Sequence, residues 1–336
     1  MGRRGVNRIP SGLRPPDAER GYPVKIVVFT DGKPPAAAAL RFAAALCTRL
    51  SAEMSVLTAR SGTHAMESPP PLGVMLPREQ WSTLPAGIRI LTGAVEVLTE
   101  VGFLASPATI KIREAPSGYL FTAPTTAGQK VPFFEHYGDL VEVLNEEVAE
   151  HRYDMVLLAS PPRDRVGRFL QGDVTRRLAL NLHTSLLVIR EGDVDSRFLV
   201  CADGSPSARR LFPLLKQLLP AIGGNVDVMF VQVPGTPKAE VDMGNECVEK
   251  ARAWLDSCGK PGELLRPEGK RPEKVIVETA GDRSIVIMGA TLRHDLHHRM
   301  RGSLPLQVLR ETRSTVLLVK VPPEVDMDFF TDPMTC

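Results

Sequence analysis

The sequence predicts an α/β protein made of two tandem, doubly wound domains, each with a five-stranded parallel sheet between layers of helices. Short apolar runs rich in Val, Ile and Leu alternate with segments of helical periodicity, as expected for parallel sheets covered on both faces. The pattern also repeats within the chain. The segment KIVVFTDG at 25–32 returns as RFLVCADG at 197–204. The segment 172–190 returns without a gap as 302–320.

The second copy is the shorter one and shows the order of elements plainly. Its first helix carries Leu211, Leu214 and Leu218 at helical spacing, and the pair Gly223 and Gly224 ends it. Strands and helices then alternate, which favours right-handed crossovers and a parallel sheet. The predicted strands are 197–202, 226–233, 263–266, 284–289 and 315–320, and the predicted helices are 206–219, 241–257, 271–280 and one from 303.

The first copy follows the same order but is longer. The copies are offset by 172 residues at their first strands and by 130 at their last, so about 42 extra residues lie inside the first copy. We place them at 61–85, expected to form a mobile loop, and at 115–137, expected to form a hairpin. The aromatic residues of 115–137 either cover a local core or form a ligand or partner surface. The predicted strands are 25–30, 54–59, 109–114, 154–159 and 185–190, and the predicted helices are 35–50, 86–101, 138–151 and 173–181.

Composition narrows the class of protein. A chain of 336 residues is long enough for two domains, and a net charge of +2 argues against nucleic acid as the main partner. It has no run of about eighteen apolar residues, so we expect no membrane partner. The absence of a secretory signal and of CxxC spacing predicts reduced thiols and a cytoplasmic location. We divide the chain into a disordered leader (1–21), domain 1 (22–192), domain 2 (193–322) and a tail (323–336).

A glycine-bearing loop, GATLRHDLHHRMRGS at 289–303, follows the fourth strand of the second copy. A loop leading into a helix directs main-chain N–H groups and the positive end of the helix dipole at one point. Glycine there lets the backbone approach a phosphate closely. Ser303 either donates to such an anion or only caps the helix. The histidines of HDLHH lack a third ligand at metal-site spacing, so we predict no metal site.

The loop resembles the phosphate signature of the universal stress protein family, which reads Gly, two residues, Gly, nine residues, Gly, then Ser or Thr. Gly289, Gly302 and Ser303 match at this spacing. Leu292 stands where the family has its middle glycine, and its side chain is expected to weaken phosphate binding. The resemblance covers nearly the whole chain. It implies Rossmann-like domains, and an adenine nucleotide such as ATP as the ligand.

The resemblance also implies two further contacts to the nucleotide. Asp203, at the end of the first strand, is expected to contact the adenosine, and the backbone of Val233 is expected to contact the base. Asp203 recurs in the first copy as Asp31. An Asp-Gly turn whose side chain bonds its own backbone would recur in the same way, so this alternative stays open.

The first copy departs from the signature in its counterpart segment, ASPPRDRVGRFLQGD. Ala159 and Pro162 replace two glycines, and proline removes a backbone donor. Gly172 is kept, but Asp173 replaces the Ser, where it suits a helix N-cap and would repel a phosphate. We therefore predict that only domain 2 binds the nucleotide.

In the resembled family, domains commonly pair through their last strands. This implies that 185–190 and 315–320 pair within the chain as a pseudo-two-fold unit. Such pairing hides two sheet edges that would otherwise be open. A further homodimer through the aromatic residues of the insertion is a second expectation.

The sequence contains no GxxxxGK[ST], GxGxxG or GxSxG motif and no carboxylate pair suited to acid–base chemistry. We therefore predict a binding protein and not an enzyme. The predicted function is a stress-response or regulatory role with ATP or another adenine nucleotide bound in domain 2, without a required metal. The alternatives are an interaction or scaffold protein with vestigial loops and, less favoured by these motifs, a nucleotide hydrolase.

Overall fold

The computed structural model describes residues 23–61, 69–160, 171–190, 193–290 and 304–320. In the third of these ranges, side chains are described from 174 onward. The predicted leader 1–21 and tail 323–336 lie outside the described residues.

The described residues form one continuous sheet of twelve strands and a separate sheet of two. The strands are β1 (Lys25–Phe29), β2 (Glu53–Arg60), β3 (Met75–Pro77), β4 (Thr109–Lys111), β5 (Arg113–Ala115), β6 (Gly118–Pro124), β7 (Lys130–Tyr137), β8 (Met155–Ala159), β9 (Ser185–Ile189), β10 (Phe198–Cys201), β11 (Val226–Met229), β12 (Leu264–Leu265), β13 (Ile285–Gly289) and β14 (Thr315–Val319). The order in the large sheet is β12-β11-β10-β13-β14-β9-β8-β1-β2-β7-β6-β5, which confirms two tandem doubly wound halves.

Helices cover both faces of the large sheet. The helices are α1 (Pro34–Leu50), α2 (Ala86–Glu100), α3 (Leu140–His151), α4 (Gln171–Asn181), α5 (Pro206–Arg209), α6 (Leu211–Leu218), α7 (Lys238–Ser257), α8 (Pro272–Ala280) and α9 (Leu304–Glu311), with 3-10 turns at Arg78–Thr83 and Leu219–Ala221. In β1, Ile26 and Val28 pack with α1 and α2, whereas Val27 points to the opposite face and packs with α3 and α4. Both faces are thus buried, as the apolar runs predict.

The third strand of domain 1 is not the predicted segment 109–114. That segment is split between β4, which pairs with β3 in the small sheet, and β5, which lies at the edge of the large one. Its pattern explains why, because Ile110 and Ile112 are buried while Lys111 and Arg113 are exposed. One solvated face suits an edge and not a strand covered on both sides.

The inserted hairpin supplies the missing strand instead. β7 lies parallel beside β2, and β6 pairs antiparallel with β7, so domain 1 contributes seven strands to the sheet and not five. Phe121 and Phe133 stack at 5.0 Å between ring centroids and are almost fully buried. The aromatic residues of the hairpin therefore build a core, which is the first of the two alternatives above.

The insertion at 61–85, expected to be a mobile loop, is partly folded. β3 and the following 3-10 turn occupy 75–83, and Trp81 is buried there. The indole Nε1 of Trp81 donates to the carbonyl of Leu76 at 3.3 Å. A buried aromatic residue with its N–H satisfied anchors the segment to domain 1.

The last strands of the two halves pair antiparallel at the middle of the sheet. Leu187 lies opposite Leu317, its own counterpart in the repeat, so the local arrangement is two-fold symmetric. The Arg190 N–H donates to Thr315 Oγ1 at 3.1 Å, and the Lys320 N–H donates to Ser185 Oγ at 3.2 Å. The Arg190 guanidinium then donates to two carbonyls at the end of α9, and the Lys320 ammonium donates to the carbonyl after α4 at 2.8 Å.

Burial makes this junction sensitive to pH. It lowers the pKa of Lys320 to about 8 from 10.5. Between these two values the unfolded chain binds the proton and the folded chain does not, so the free energy of unfolding should rise with pH across this window and lose that contribution below it. The gain over the window should be at most about 3 kcal/mol, because one pKa unit corresponds to about 1.4 kcal/mol and the hydrogen bond to Leu182 favours the charged form.

Urea unfolding at pH 7.5, 9 and 10.5 checks this pH dependence, with Lys320→Met as the reference. The difference in unfolding free energy, wild type minus variant, should increase with pH. Subtracting the variant removes the contribution of thiols that titrate in the same range. A flat difference would contradict the prediction.

None of the helices in the described parts of the chain has the length and apolar character that a bilayer span requires.

The cysteines differ in their oxidation state. Cys47, Cys201 and Cys247 are buried free thiols, whereas Cys258 is disulfide-bonded. The prediction that all the thiols are reduced is therefore wrong for Cys258.

Candidate functional site

The carboxyl ends of β10 and β13 meet at the point where the strand order of domain 2 reverses. The two strands run parallel, with Cys201 opposite Met288, so Asp203 and Gly289 emerge side by side. From β10 the chain passes to β11 on one side and later returns to β13 on the other. Such a switch point leaves a crevice where open α/β sheets bind ligands.

The side chain of Asp203 stabilises a local turn. Its Oδ1 accepts the N–H of Ser205 at 3.0 Å, and Gly204 between them has a φ of +75°. In domain 1, Asp31 Oδ1 accepts the N–H of Lys33 at 3.0 Å in the same way. The turn alternative left open by the sequence therefore holds in both copies. It explains the repeated Asp-Gly without a ligand.

The two aspartates differ in the ion pairs that their carboxylates form. Asp31 Oδ2 forms an ion pair with Lys33 Nζ at 2.9 Å. Asp203 is exposed and forms no ion pair within the described part of the chain. Among the described residues, the carboxylate of Asp203 at the crevice of domain 2 thus has no ion-pair partner, whereas that of Asp31 in domain 1 is paired with Lys33.

Gly289 has a packing role that the sequence does not reveal. A Cβ built on it would lie 2.1 Å from the carbonyl oxygen of Ser207 and 2.9 Å from the backbone nitrogen of Ala208. The start of α5 therefore packs directly against the end of β13. This glycine permits close helix–strand packing, apart from any approach to phosphate. Ala159, its counterpart at the end of β8, is partly buried and carries a Cβ.

The end of the second strand offers less to a base than expected. β11 ends at Met229, and the carbonyl of Val233 accepts the N–H of Thr236 at 3.1 Å in a turn. A base read through this carbonyl would have to share it, which its second lone pair permits.

The other predicted site residues are placed only in part. Leu292, Gly302, Ser303 and Pro162 lie outside the described residues. Gly172 and Asp173 lie in the first turn of α4, which begins at Gln171, so Asp173 is inside the helix and not at its N-cap.

Domain 1 has a cleft that sequence reasoning missed. A cavity of about 360 Å³ lies between α1 and α2 beside the end of β1, and the cationic residues that line it are Lys33 and Arg89. Its volume falls within the range of small-molecule sites. The sequence gives no signal for it, because the small residues that open it (Ala36, Ala37, Gly93 and Ala94) read as ordinary helix positions.

A buried charge lies at the same edge of domain 1. Glu135 near the end of β7 is fully buried, and its Oε1 lies 3.8 Å from Arg60 Nη1 at the end of β2. A Cβ on Gly87 would come within 1.8 Å of that oxygen, so the first turn of α2 rests on the carboxylate. The sequence signal for this contact was Glu135 itself, a charged residue among apolar ones in a strand. A charged residue is rarely buried without a partner.

These features define an open α/β nucleotide-type fold with its candidate site at the carboxyl edge of the sheet. The family model for the universal stress protein family matches residues 24–190, and the chain belongs to that family. The match falls on domain 1 and includes the inserted hairpin.

Solved structures share this architecture over most of the chain. A universal stress protein from Archaeoglobus fulgidus DSM 4304 is 16% identical with a TM-score of 0.57, covering 89% of this chain and 98% of its own. A functionally unknown protein from Pseudomonas aeruginosa PAO1 is 12% identical with a TM-score of 0.56, covering 89% and 93%. At these identities the likeness shows the fold alone. No curated protein matches the chain significantly in sequence.

Proposed function

We propose that the chain is a cytoplasmic stress-response or regulatory protein that binds an adenine nucleotide, and that the site is the carboxyl edge of domain 2. The observation that carries the proposal is the exposed carboxylate of Asp203, which has no ion-pair partner among the described residues and lies beside Gly289 at the switch point. A carboxylate accepts hydrogen bonds from ribose hydroxyls or an exocyclic amine. The basic part of the segment 289–303, from 291 onward, lies outside the described residues, and its Arg and His residues would supply cations for phosphates.

Domain 1 plays a supporting part in this proposal. Asp31 is held by Lys33, and Ala159 stands where domain 2 has Gly289. Pairing of β9 with β14 makes the two domains a single unit in which the first stabilises the second. Neither a catalytic step nor a bound metal is needed for binding of this kind.

A second candidate function is protein interaction, and one surface favours it. Leu72, Val74 and Met75 are 41%, 50% and 60% exposed in one short segment of the domain 1 insertion. An exposed apolar segment of this kind is typical of contact surfaces. It would fit the scaffold alternative, in which the crevices hold no nucleotide.

Calorimetric titration of the full chain with ATP tests the proposal. Asp203→Asn keeps an oxygen acceptor for the Ser205 N–H and removes only the charge, so the turn should persist. We expect at least a tenfold loss of affinity, equal to about 1.4 kcal/mol. Asp31→Asn is the matched control at the equivalent turn and should leave ATP affinity unchanged.

Other outcomes assign the site differently. Loss of affinity in Asp31→Asn alone would move the nucleotide to the cleft of domain 1. Absence of binding at millimolar ATP in the wild type would favour the scaffold alternative.

A further inference from the structure

A second cluster of chemically active side chains lies away from the nucleotide edge, between α3 and β7. Glu147, Glu150 and His151 share one face of α3 at positions i, i+3 and i+4. One ligand atom from each lies within 4.8 Å of the others. His136 approaches from β7, so the cluster joins the inserted hairpin to the helix that follows it.

Glu147 is the centre of this cluster. It is 4% exposed, and its two oxygens face two imidazoles. His136 Nε2 lies 3.0 Å from Oε1, and His151 Nδ1 lies 3.2 Å from Oε2. Phe134 packs beside both rings, with its centroid 5.9 Å from that of His136 and 5.7 Å from that of His151.

These short distances are not directed hydrogen bonds. Among the described residues, Glu147 Oε2, His136 Nε2 and His151 Nδ1 are all buried and have no hydrogen-bond partner of acceptable geometry. Buried polar atoms in native proteins are nearly always satisfied, and convergent exceptions indicate an ion or water. His151 Nδ1 and Glu147 Oε2 face each other at 3.2 Å without forming a directed hydrogen bond, and an imidazole nitrogen beside a carboxylate oxygen is a donor pair that a cation can bind.

The donor types select the class of cation. A tetrahedral Zn²⁺ site with bonds of about 2.0–2.1 Å holds its ligand atoms about 3.3 Å apart. The separation of 3.2 Å between His151 Nδ1 and Glu147 Oε2 agrees with that spacing. Imidazole suits zinc and its first-row neighbours, whereas magnesium and calcium prefer all-oxygen ligands.

We propose that Glu147 Oε2, Glu150 and His151 Nδ1 bind a divalent first-row transition ion of the zinc type. His136 is a positioning residue whose Nε2 lies 3.0 Å from the second oxygen of Glu147, where an outer partner can orient a ligating carboxylate. Three protein ligands leave one position for water or a fourth ligand. His151 also lines a cleft of about 410 Å³ at the amino edge of the sheet, which gives the ion a path from solvent.

Charge at the site also favours a cation. Two of the three proposed ligands are the carboxylates of Glu147 and Glu150 on the same face of α3, and a divalent ion would compensate their negative charge.

Calorimetry of the full chain with Zn²⁺ tests the proposal, with Co²⁺ absorption as a second readout of coordination. We expect at least a tenfold loss of Zn²⁺ affinity in Glu147→Gln and in His151→Asn, and a loss of about tenfold in His136→Asn. Glu146→Gln removes the same charge from an exposed position one residue away and should bind as the wild type does. Glu147→Gln keeps the side-chain shape, so the variant should fold as the wild type does. Far-UV circular dichroism of each variant checks this.

The histidine loop must be separated from this site. A variant with His294, His297 and His298 changed to Asn should keep the Zn²⁺ affinity and stoichiometry of the α3 site. Zn²⁺ binding that disappears in this loop variant but survives Glu147→Gln and His151→Asn would overturn the proposal. Absence of Zn²⁺ binding in the wild type would overturn it as well, whatever the result with ATP.

Discussion

Arg190→Ala should lower the free energy of unfolding by about 2–3 kcal/mol, because it removes a charged link between the two domains. The guanidinium donates to the carbonyls of Leu309 and Thr312, at the carboxyl end of α9. A cation there satisfies acceptors that the helix leaves unpaired and interacts favourably with the helix dipole. Truncation leaves two partly buried carbonyls without their donor. Urea unfolding followed by circular dichroism measures the change.

Arg310→Ala is the control for Arg190→Ala. Arg310 lies on α9 too, but its side chain is 58% exposed and pairs only with its neighbour Glu311 in the described residues. An exposed pair of this kind contributes less than about 1 kcal/mol. Equal effects of the two substitutions would mean that the contact across the domains contributes no more than a surface arginine. An earlier, separate transition of one domain in Arg190→Ala would show that the link also couples their unfolding.

The sequence predicts this junction only as far as its backbone. Repeat alignment pairs 190 with 320 and 187 with 317, and edge protection predicts that the last strands pair. Where the two side chains point depends on the antiparallel register around Leu187 and Leu317. Periodicity carries no information on register between distant strands, so the capping of opposite helices could not be predicted.

The error in the third strand of domain 1 has a similar cause. Both 109–114 and the hairpin strand have the length and the residue types of strands. The repeat favoured the first because it stands next in the expected order. Burial on both faces identifies β7 as the strand beside β2, because its Phe133 and Phe134 point to opposite sides and are both buried. Alternation of charge with Ile in 109–114 was the signal that should have placed it at an edge.

The candidate site was predictable in position but not in the role of each residue. The order of the strands alone places Asp203 and Gly289 together. Their tasks depend on atoms within about 3 Å that come from other segments, such as Ser205 and the start of α5. The α3 cluster escaped prediction because His136 and Glu147 meet only after the hairpin replaces the expected strand.

Gly289→Ala should lower the free energy of unfolding by about 1–3 kcal/mol, independently of any nucleotide. The added methyl group would meet the Ser207 carbonyl oxygen at 2.1 Å, and its carbon at 2.5 Å. These are backbone atoms at the start of α5, so no side chain can rotate away and the helix itself must shift. Thermal or urea unfolding without ATP measures the loss.

Ala159→Gly in domain 1 is the reciprocal control for Gly289→Ala. It removes a methyl group at the equivalent strand end and should cost no more than about 1 kcal/mol, mainly through backbone entropy. If Gly289→Ala were as stable as the wild type but bound ATP less tightly, the glycine would serve the phosphate and not the helix. If stability falls as expected, lower affinity in this variant is no proof of contact with the nucleotide. Asp203→Asn, which leaves the α5 packing intact, is then the decisive variant for the ligand.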